Sequence, residues 1–184
     1  SNSFTLAALI RHFGGEPVEL GIARDSRQSL LTLVAKATEV DLLVTTGGAS
    51  VGDHDLVRSV LGEAGLHLDF WGVAARPGKP TLFGRLNDTP LLGLPGNPVT
   101  IVVGGLLFLR PAIAALLGLK EMPPQPESAR LTVAMGKNGP REAYLSAKST
   151  RDADGICHVT PFSRQDSSML AQTVRADCLV LRPP

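Results

Sequence analysis

The apolar run Leu42-Leu43-Val44 leads into Thr45-Thr46-Gly47-Gly48-Ala49-Ser50-Val51-Gly52-Asp53-His54-Asp55, and Leu56-Val57-Arg58-Ser59-Val60-Leu61 follows with apolar residues at helical spacing. The pattern predicts a strand, a glycine-rich turn and a helix. A strand ending in small residues points the first N–H groups of the next helix into a crevice, where they have no partner inside the helix and carry its positive dipole end. Gly47 and Gly48 remove side chains that would keep a phosphate away, and Ser50 adds a hydroxyl donor. Such a turn either receives an anion or simply makes room for a tight connection.

Phe4 to Phe13 places Leu6, Leu9, Ile10 and Phe13 on one helical face, and Gly14-Gly15 stops it. Val18 to Ala23 reads as a strand, Ser26 or Asp25 can cap a helix from about Gln28 to Val40, and Asp41 to Thr46 is the next strand. Strands alternating with helices imply a three-layer α/β domain, a mainly parallel sheet with helices on both faces. Leu66 to Ala74 is a further strand. Thr81-Leu82-Phe83-Gly84 and Pro90-Leu91-Leu92-Gly93-Leu94 flank the turn pair Asn87-Asp88 as a hairpin. Pro95-Gly96-Asn97-Pro98 then introduces an apolar helix. We assign residues 1–119 to this domain and the proline-rich 120–128 to a linker. Short β-type runs in 129–184, with Asp154-Gly155 as a hairpin turn, predict a small all-β, barrel-like domain.

A chain of 184 residues, 43% hydrophobic and 19% charged, can bury one core plus a small satellite. Its formal net charge of +1 gives no global attraction to nucleic acid or an anionic membrane, so an anion needs a local cluster of cations. The uninterrupted apolar stretch Val99 to Leu109 is about half a bilayer span, and Arg110-Pro111 interrupts it, which predicts a buried helix. Cys157 and Cys178 have no metal-type spacing and read as ordinary thiols, with a disulfide between them left open. The chain opens Ser1-Asn2 instead of with methionine, so further domains upstream are expected.

Ligands of open α/β sheets bind beyond the carboxyl ends of the strands. Three turns leave predicted strand ends there: Arg24-Asp25, Gly47 to Asp55, and Pro95 to Pro98. With Arg76 and Lys79, separated only by Pro77-Gly78, they can surround one crevice; the bland alternative is a solvated basic loop. Asp25 and Asp55 would repel a phosphate there unless a divalent cation bridges the two or they accept hydrogen bonds from a heterocycle. Asp53 reads as a helix cap, His54 as an exposed turn residue, and Phe70 and Trp71 as core or interface residues.

The ordered set Gly47 to Asp55, Arg76-Pro77-Gly78-Lys79-Pro80 and Leu94-Pro95-Gly96-Asn97-Pro98-Val99 resembles the molybdopterin molybdenumtransferase family. Gly139-Pro140-Arg141-Glu142-Ala143-Tyr144-Leu145 and Ser167-Ser168-Met169-Leu170 through Ala176-Asp177 look like that family's C-terminal β domain. The resemblance implies insertion of molybdate into adenylated molybdopterin with release of AMP, a Mg2+ ion, and cytoplasmic localisation. It implies catalytic roles for Asp25, Asp55 and Lys79, with Asp25 and Asp55 holding the metal. Gly47, Gly48, Ser50, Gly52, Arg76, Pro95, Asn97 and Pro98 would bind the substrate. It further implies a homodimer in the full-length form and molybdopterin adenylyltransferase as a pathway partner, with no nucleic acid and no membrane.

Two departures stand out. The family's upstream domains are absent from this chain, and Gly72 and Arg76 stand where familiar relatives carry lysines. The competing readings are the adenylyltransferase of the same pathway and a non-catalytic binding scaffold of the same fold.

Overall fold

A computed structural model of the chain describes residues 2–37, 39–47, 56–120 and 126–184. The first part runs α1 (Asn2–His12), α2 (Arg27–Val34), β1 (Leu43–Thr46), α3 (Leu56–Glu63), β2 (Leu66–Trp71), β3 (Ala75–Arg76), β4 (Leu82–Leu86) and β5 (Thr89–Leu94). A single rod follows, made of α4 (Pro98–Gly104), a π-helical segment (Gly105–Leu109) and α5 (Arg110–Leu116). Strands β1, β5, β4 and β2 form one sheet in that order.

Side-chain alternation along the strands builds a core on each face of this sheet. Leu43, Leu82, Leu86 and Leu91 face one way and pack with Leu61 of α3 and with Leu30 and Val34 of α2. Val44, Phe83, Leu92 and Leu94 face the other way, against Leu6 of α1 and Ile101, Leu109 and Ile113 of the rod. Helices therefore cover both faces, as the sequence pattern requires. Leu61, Leu82, Leu91, Leu92 and Leu94 are completely or almost completely buried, each worth roughly 1.5–3 kcal/mol relative to exposure. The rod Pro98–Leu116 has a mean hydropathy of 2.1, and half of its apolar window is buried inside the protein, which accounts for its composition.

The sheet itself is mixed. Only β1 and β5 run parallel; β4 is antiparallel to both β5 and β2. The physical reason lies in the turn: Asn87, at φ 52°, and Asp88 join Leu86 to its partner Thr89, and a two-residue hairpin can only join antiparallel strands. The expected strand over Val18 to Ala23 does not form; Ile22 is 92% exposed and the segment pairs with no strand among the described residues. Helix α2 is shorter than its apolar pattern suggests, but its start is as expected, with Ser26 Oγ accepting from the Ser29 N–H. Phe70 and Trp71 lie on the outer β2 strand and are more than a third exposed, Phe70 stacking on Phe83 with ring centroids 6.1 Å apart.

The second sheet contains β6 (Arg130–Leu131), β7 (Glu142–Arg151), β8 (Cys157–Pro161) and β9 (Cys178–Arg182), and it is open, not a closed barrel. Strand β7 pairs antiparallel with β8 along its second half and with β9 along its first. The Asp154-Gly155 turn forms as expected: the Gly155 N–H donates to the Asp152 carbonyl at 3.0 Å, where β7 turns into β8. A short helix, α6 (Leu170–Arg175), interrupts the predicted all-β run. Cys157 and Cys178 are free thiols. The two sheets are stitched together by β3, whose Ala75 and Arg76 pair in parallel with Glu142 and Ala143 of β7.

Candidate functional site

The loops that matter leave the carboxyl ends of β1 and β5. The Gly47 N–H donates to the Leu94 carbonyl at 3.0 Å, and a Cβ on Gly96 would stand 3.3 Å from the Gly47 Cα, so the two loops start in contact. Asn2 of α1 joins them, its side-chain amide donating to the Gly96 carbonyl at 2.6 Å. Pro98 opens α4 at a position where its missing N–H costs nothing, with Asn97 as the cap residue. The next orphan donor of that helix, the Val99 N–H, is taken by the Ser167 carbonyl at 3.1 Å, from the second sheet's side. Gly48, Ser50, Gly52 and Asp55, together with Asp53 and His54, lie outside the described residues.

The Arg76-Pro77-Gly78-Lys79-Pro80 loop is fixed at its base. The Gly72 N–H donates to the Thr81 carbonyl and the Val73 N–H to the Lys79 carbonyl, at 2.8 and 2.9 Å. Buried Thr81 returns two bonds to the Gly78 carbonyl, from its N–H at 2.9 Å and its hydroxyl at 2.8 Å. Gly72, where the resemblance leads us to expect a lysine, sits at φ +91°, a conformation that a lysine would adopt only under strain.

These loops and the second sheet enclose a cleft of about 410 Å³. From the first sheet's side Arg76, Lys79, Pro95, Asn97 and Thr100 line it, and from the second Arg141, Tyr144, Arg164 and Asp166. Among the described residues, four cations thus share the cleft with one carboxylate. Elsewhere three cations are paired, Arg27 with Glu63, Lys148 with Asp177 and Arg151 with Glu127, while Arg24, Lys36 and Arg175 are among those with no ion pair among the described residues, so what sets the cleft apart is the gathering of its cations around one space. Among the described residues none of the four cleft cations has such a partner. Thr100 is 2% exposed, and its hydroxyl makes no hydrogen bond among the described residues. Several cations and a buried hydroxyl-bearing residue lining one space suit a tetrahedral oxyanion.

The structure therefore brings Arg76, Lys79, Pro95 and Asn97 together, with Gly47 and Pro98 beside them, and leaves Asp25 outside. Asp25 is exposed at the bend before α2 and does not line the cleft. The expected opening of Asp25 onto the same crevice as Lys79 is not seen: the Val18 to Ala23 segment before it pairs with no strand among the described residues, so no strand end carries it there. For the implied Mg2+, the described residues hold no group of three His, Cys, Asp or Glu side chains able to bind a metal, and Asp55 lies outside them. Arg141, Arg164, Thr100 and Tyr144 line the cleft and were not singled out as site residues from the sequence.

Tyr144 offers a spectroscopic handle, since it is the chain's only tyrosine. Partial burial, then its hydrogen bond to Glu142, push its phenol up to about 12. Absorbance titration should find no tyrosinate near pH 10, and Glu142→Gln should bring the pKa part of the way back. The sign for stability follows from linkage. The unfolded phenol ionises near pH 10 while the folded one keeps its proton, so this group's contribution is intact below pH 10 and is lost as pH rises toward 12.

Residues 1–115 match the family described as "Probable molybdopterin binding domain", and residues 128–184 match the MoeA C-terminal region, domain IV. The chain belongs to the molybdopterin molybdenumtransferase (MoeA) family. It is 31% identical over 183 residues to the molybdopterin molybdenumtransferase of Haemophilus influenzae, covering 98% of this chain and 45% of that protein. With molybdopterin molybdenumtransferase 2 of Mycobacterium tuberculosis it shares 36% identity over 156 residues, 79% of this chain and 38% of the relative. Among solved structures, the molybdopterin biosynthesis MoeA protein of Pyrococcus horikoshii superposes with a TM-score of 0.75 at 32% identity, covering all of this chain and 43% of that one. The chain spans less than half the length of these relatives. The MoeA family works in molybdenum cofactor biosynthesis, and its α/β architecture is the one found here.

Proposed function

We propose that the cleft receives molybdate in a molybdopterin molybdenumtransferase, which inserts it into adenylated molybdopterin and releases AMP. The observation that carries this reading is the gathering of four cations, Arg76, Lys79, Arg141 and Arg164, around one cleft with a single described carboxylate, Asp166, beside the buried Thr100, whose hydroxyl makes no hydrogen bond among the described residues. Molybdate is a dianion, and guanidinium and ammonium donors neutralise it while fixing its oxygens. Thr100 supplies a neutral donor from the first turn of α4. The turn from Gly47 to Gly52 would hold the substrate's pyrophosphate next to the Pro95 to Pro98 loop, bringing the two reactants to adjacent positions. Catalysis then consists mainly of proximity and charge neutralisation, with no covalent nucleophile from the protein.

Mg2+ takes one or two carboxylates and completes its shell with substrate phosphates and water. Asp55 remains the candidate carboxylate for it and Asp25 a weaker one; no step here depends on the ion. A homodimeric full-length form, molybdopterin adenylyltransferase as pathway partner and a cytoplasmic location belong to the same proposal.

The test is turnover by the full-length protein. Supplied with adenylated molybdopterin, it should release AMP and form cofactor only when molybdate is added. Turnover of ATP and unadenylated molybdopterin instead would assign the adenylyltransferase activity, and binding without turnover of either mixture would assign a scaffold.

A further inference from the structure

The cleft contains one group that works against its apparent purpose. Asp166 is the only carboxylate among the described cleft-lining residues, and it stands in the loop that also supplies Arg164. Its orientation is built: Oδ1 accepts from the Ser168 N–H at 2.8 Å and from the Ser168 hydroxyl at 2.6 Å. Those bonds, the hydroxyl's first, hold the carboxyl below the ordinary aspartate range, with Arg164 adding to the effect. Oδ2 takes no hydrogen bond among the described residues. A fixed negative charge is thus maintained at the rim of a site with four cations.

We propose that Asp166 is a specificity-determining residue that weakens the cleft's hold on doubly charged oxyanions. The inference rests on the oxyanion reading of the cleft. Coulomb energy scales with the product of the charges, so at one position a carboxylate opposes a dianion twice as strongly as a monoanion of the same shape. Four unopposed cations would grip any small dianion tightly and release it slowly. One opposing charge keeps a dianion exchangeable, so that it can be handed to a second substrate.

Molybdate and perrhenate separate charge from shape, since both are tetrahedral and they differ by one unit of charge. Calorimetry on the 184-residue chain and its Asp166→Asn variant should show molybdate binding tightened roughly tenfold and perrhenate roughly threefold, because doubling the energy squares the ratio. The asparagine carbonyl can still accept both Ser168 bonds, so the loop keeps its shape. Ser168→Ala removes one of those bonds but leaves the charge, and both affinities should stay within about twofold. Molybdate binding that is unchanged or weaker in Asp166→Asn, or a gain equal for the two anions, overturns the inference while leaving the oxyanion reading intact. Failure of both proteins to bind molybdate overturns both.

Discussion

Replacing Arg141 or Lys79 with alanine should raise the dissociation constant for molybdate roughly 10- to 100-fold while leaving the melting temperature unchanged or slightly higher. The two halves of this expectation come from one observation. Among the described residues neither side chain has an ion-pair partner, and the two share the cleft with Arg76 and Arg164. Each cation therefore repels three others in the free protein, offset only by Asp166 among the described carboxylates, and gains most when an anion arrives. Removing one relieves repulsion in the fold and removes a charge-assisted donor from the complex. A residue kept for packing behaves the other way, losing stability first. Arg141→Lys should recover only part of the loss, because an ammonium cannot offer the paired donors of a guanidinium. Titration calorimetry with molybdate, run beside a thermal melt, reads both quantities. Unchanged affinity in both alanine variants would remove the oxyanion assignment; a fall in melting temperature of more than about 5 °C would mean that these cations hold the two sheets together.

The outcome also explains which parts of the site were legible. Local pattern sufficed for Arg76 and Lys79, since two cations on a proline-glycine loop near a strand end advertise an anion, and for Pro95 and Asn97, which follow a clear strand. Arg141 and Arg164 lie more than sixty residues beyond Arg76, in a part whose pattern says only "short strands". What brings them in is the two-residue pairing of Ala75 and Arg76 with the start of β7, and no periodicity can be read from two residues. Thr100 looked like one more residue of an apolar helix, although a hydroxyl among Val99, Ile101 and Val103 was a visible irregularity. In the fold, Leu43, Leu91 and Leu92 were readable as core because each lies in a short strand with strong alternation or a continuous apolar run. The Val18 to Ala23 run has the same letters but does not pair, since strand formation depends on an available edge as well as on propensity. Helix α6 was missed because six residues give too few turns for a helical period to appear.

Gly84→Ala should cost about 3 kcal/mol, the upper end of what overpacking usually costs, whereas Gly93→Ala should cost about 1 kcal/mol. Both glycines are buried in the hairpin that delivers the Pro95 to Pro98 loop. At Gly84 a Cβ would stand 2.1 Å from the His67 carbonyl oxygen and 2.9 Å from the Leu68 Cα. Those atoms are backbone, and they belong to the point where β2 bulges: Leu68 pairs with Gly84 and Phe70 with Phe83, leaving Asp69 extra. Relief would require β2 and β4 to separate, breaking ladder bonds in the sheet. At Gly93 the nearest atoms are the Cγ and Cδ1 of Leu82, at 2.6 and 2.7 Å, and a leucine side chain can rotate or shift where a strand cannot. For a chain of this size the difference corresponds to roughly 6–12 °C of melting temperature for Gly84→Ala against about 2–4 °C for Gly93→Ala. A functional consequence separates them further. Leu94 accepts from the Gly47 N–H at the mouth of the site, and a displaced β4 shifts its hairpin partner β5 and that contact with it. Gly84→Ala should therefore also weaken molybdate binding in the fraction that remains folded, while Gly93→Ala should not. Chemical denaturation of the two variants, followed by calorimetry on whichever stays folded, decides the matter. Equal losses of stability would mean that the β2 bulge can open to admit a methyl group, and that the close approach at Gly84 does not fix the hairpin on which the cleft is built.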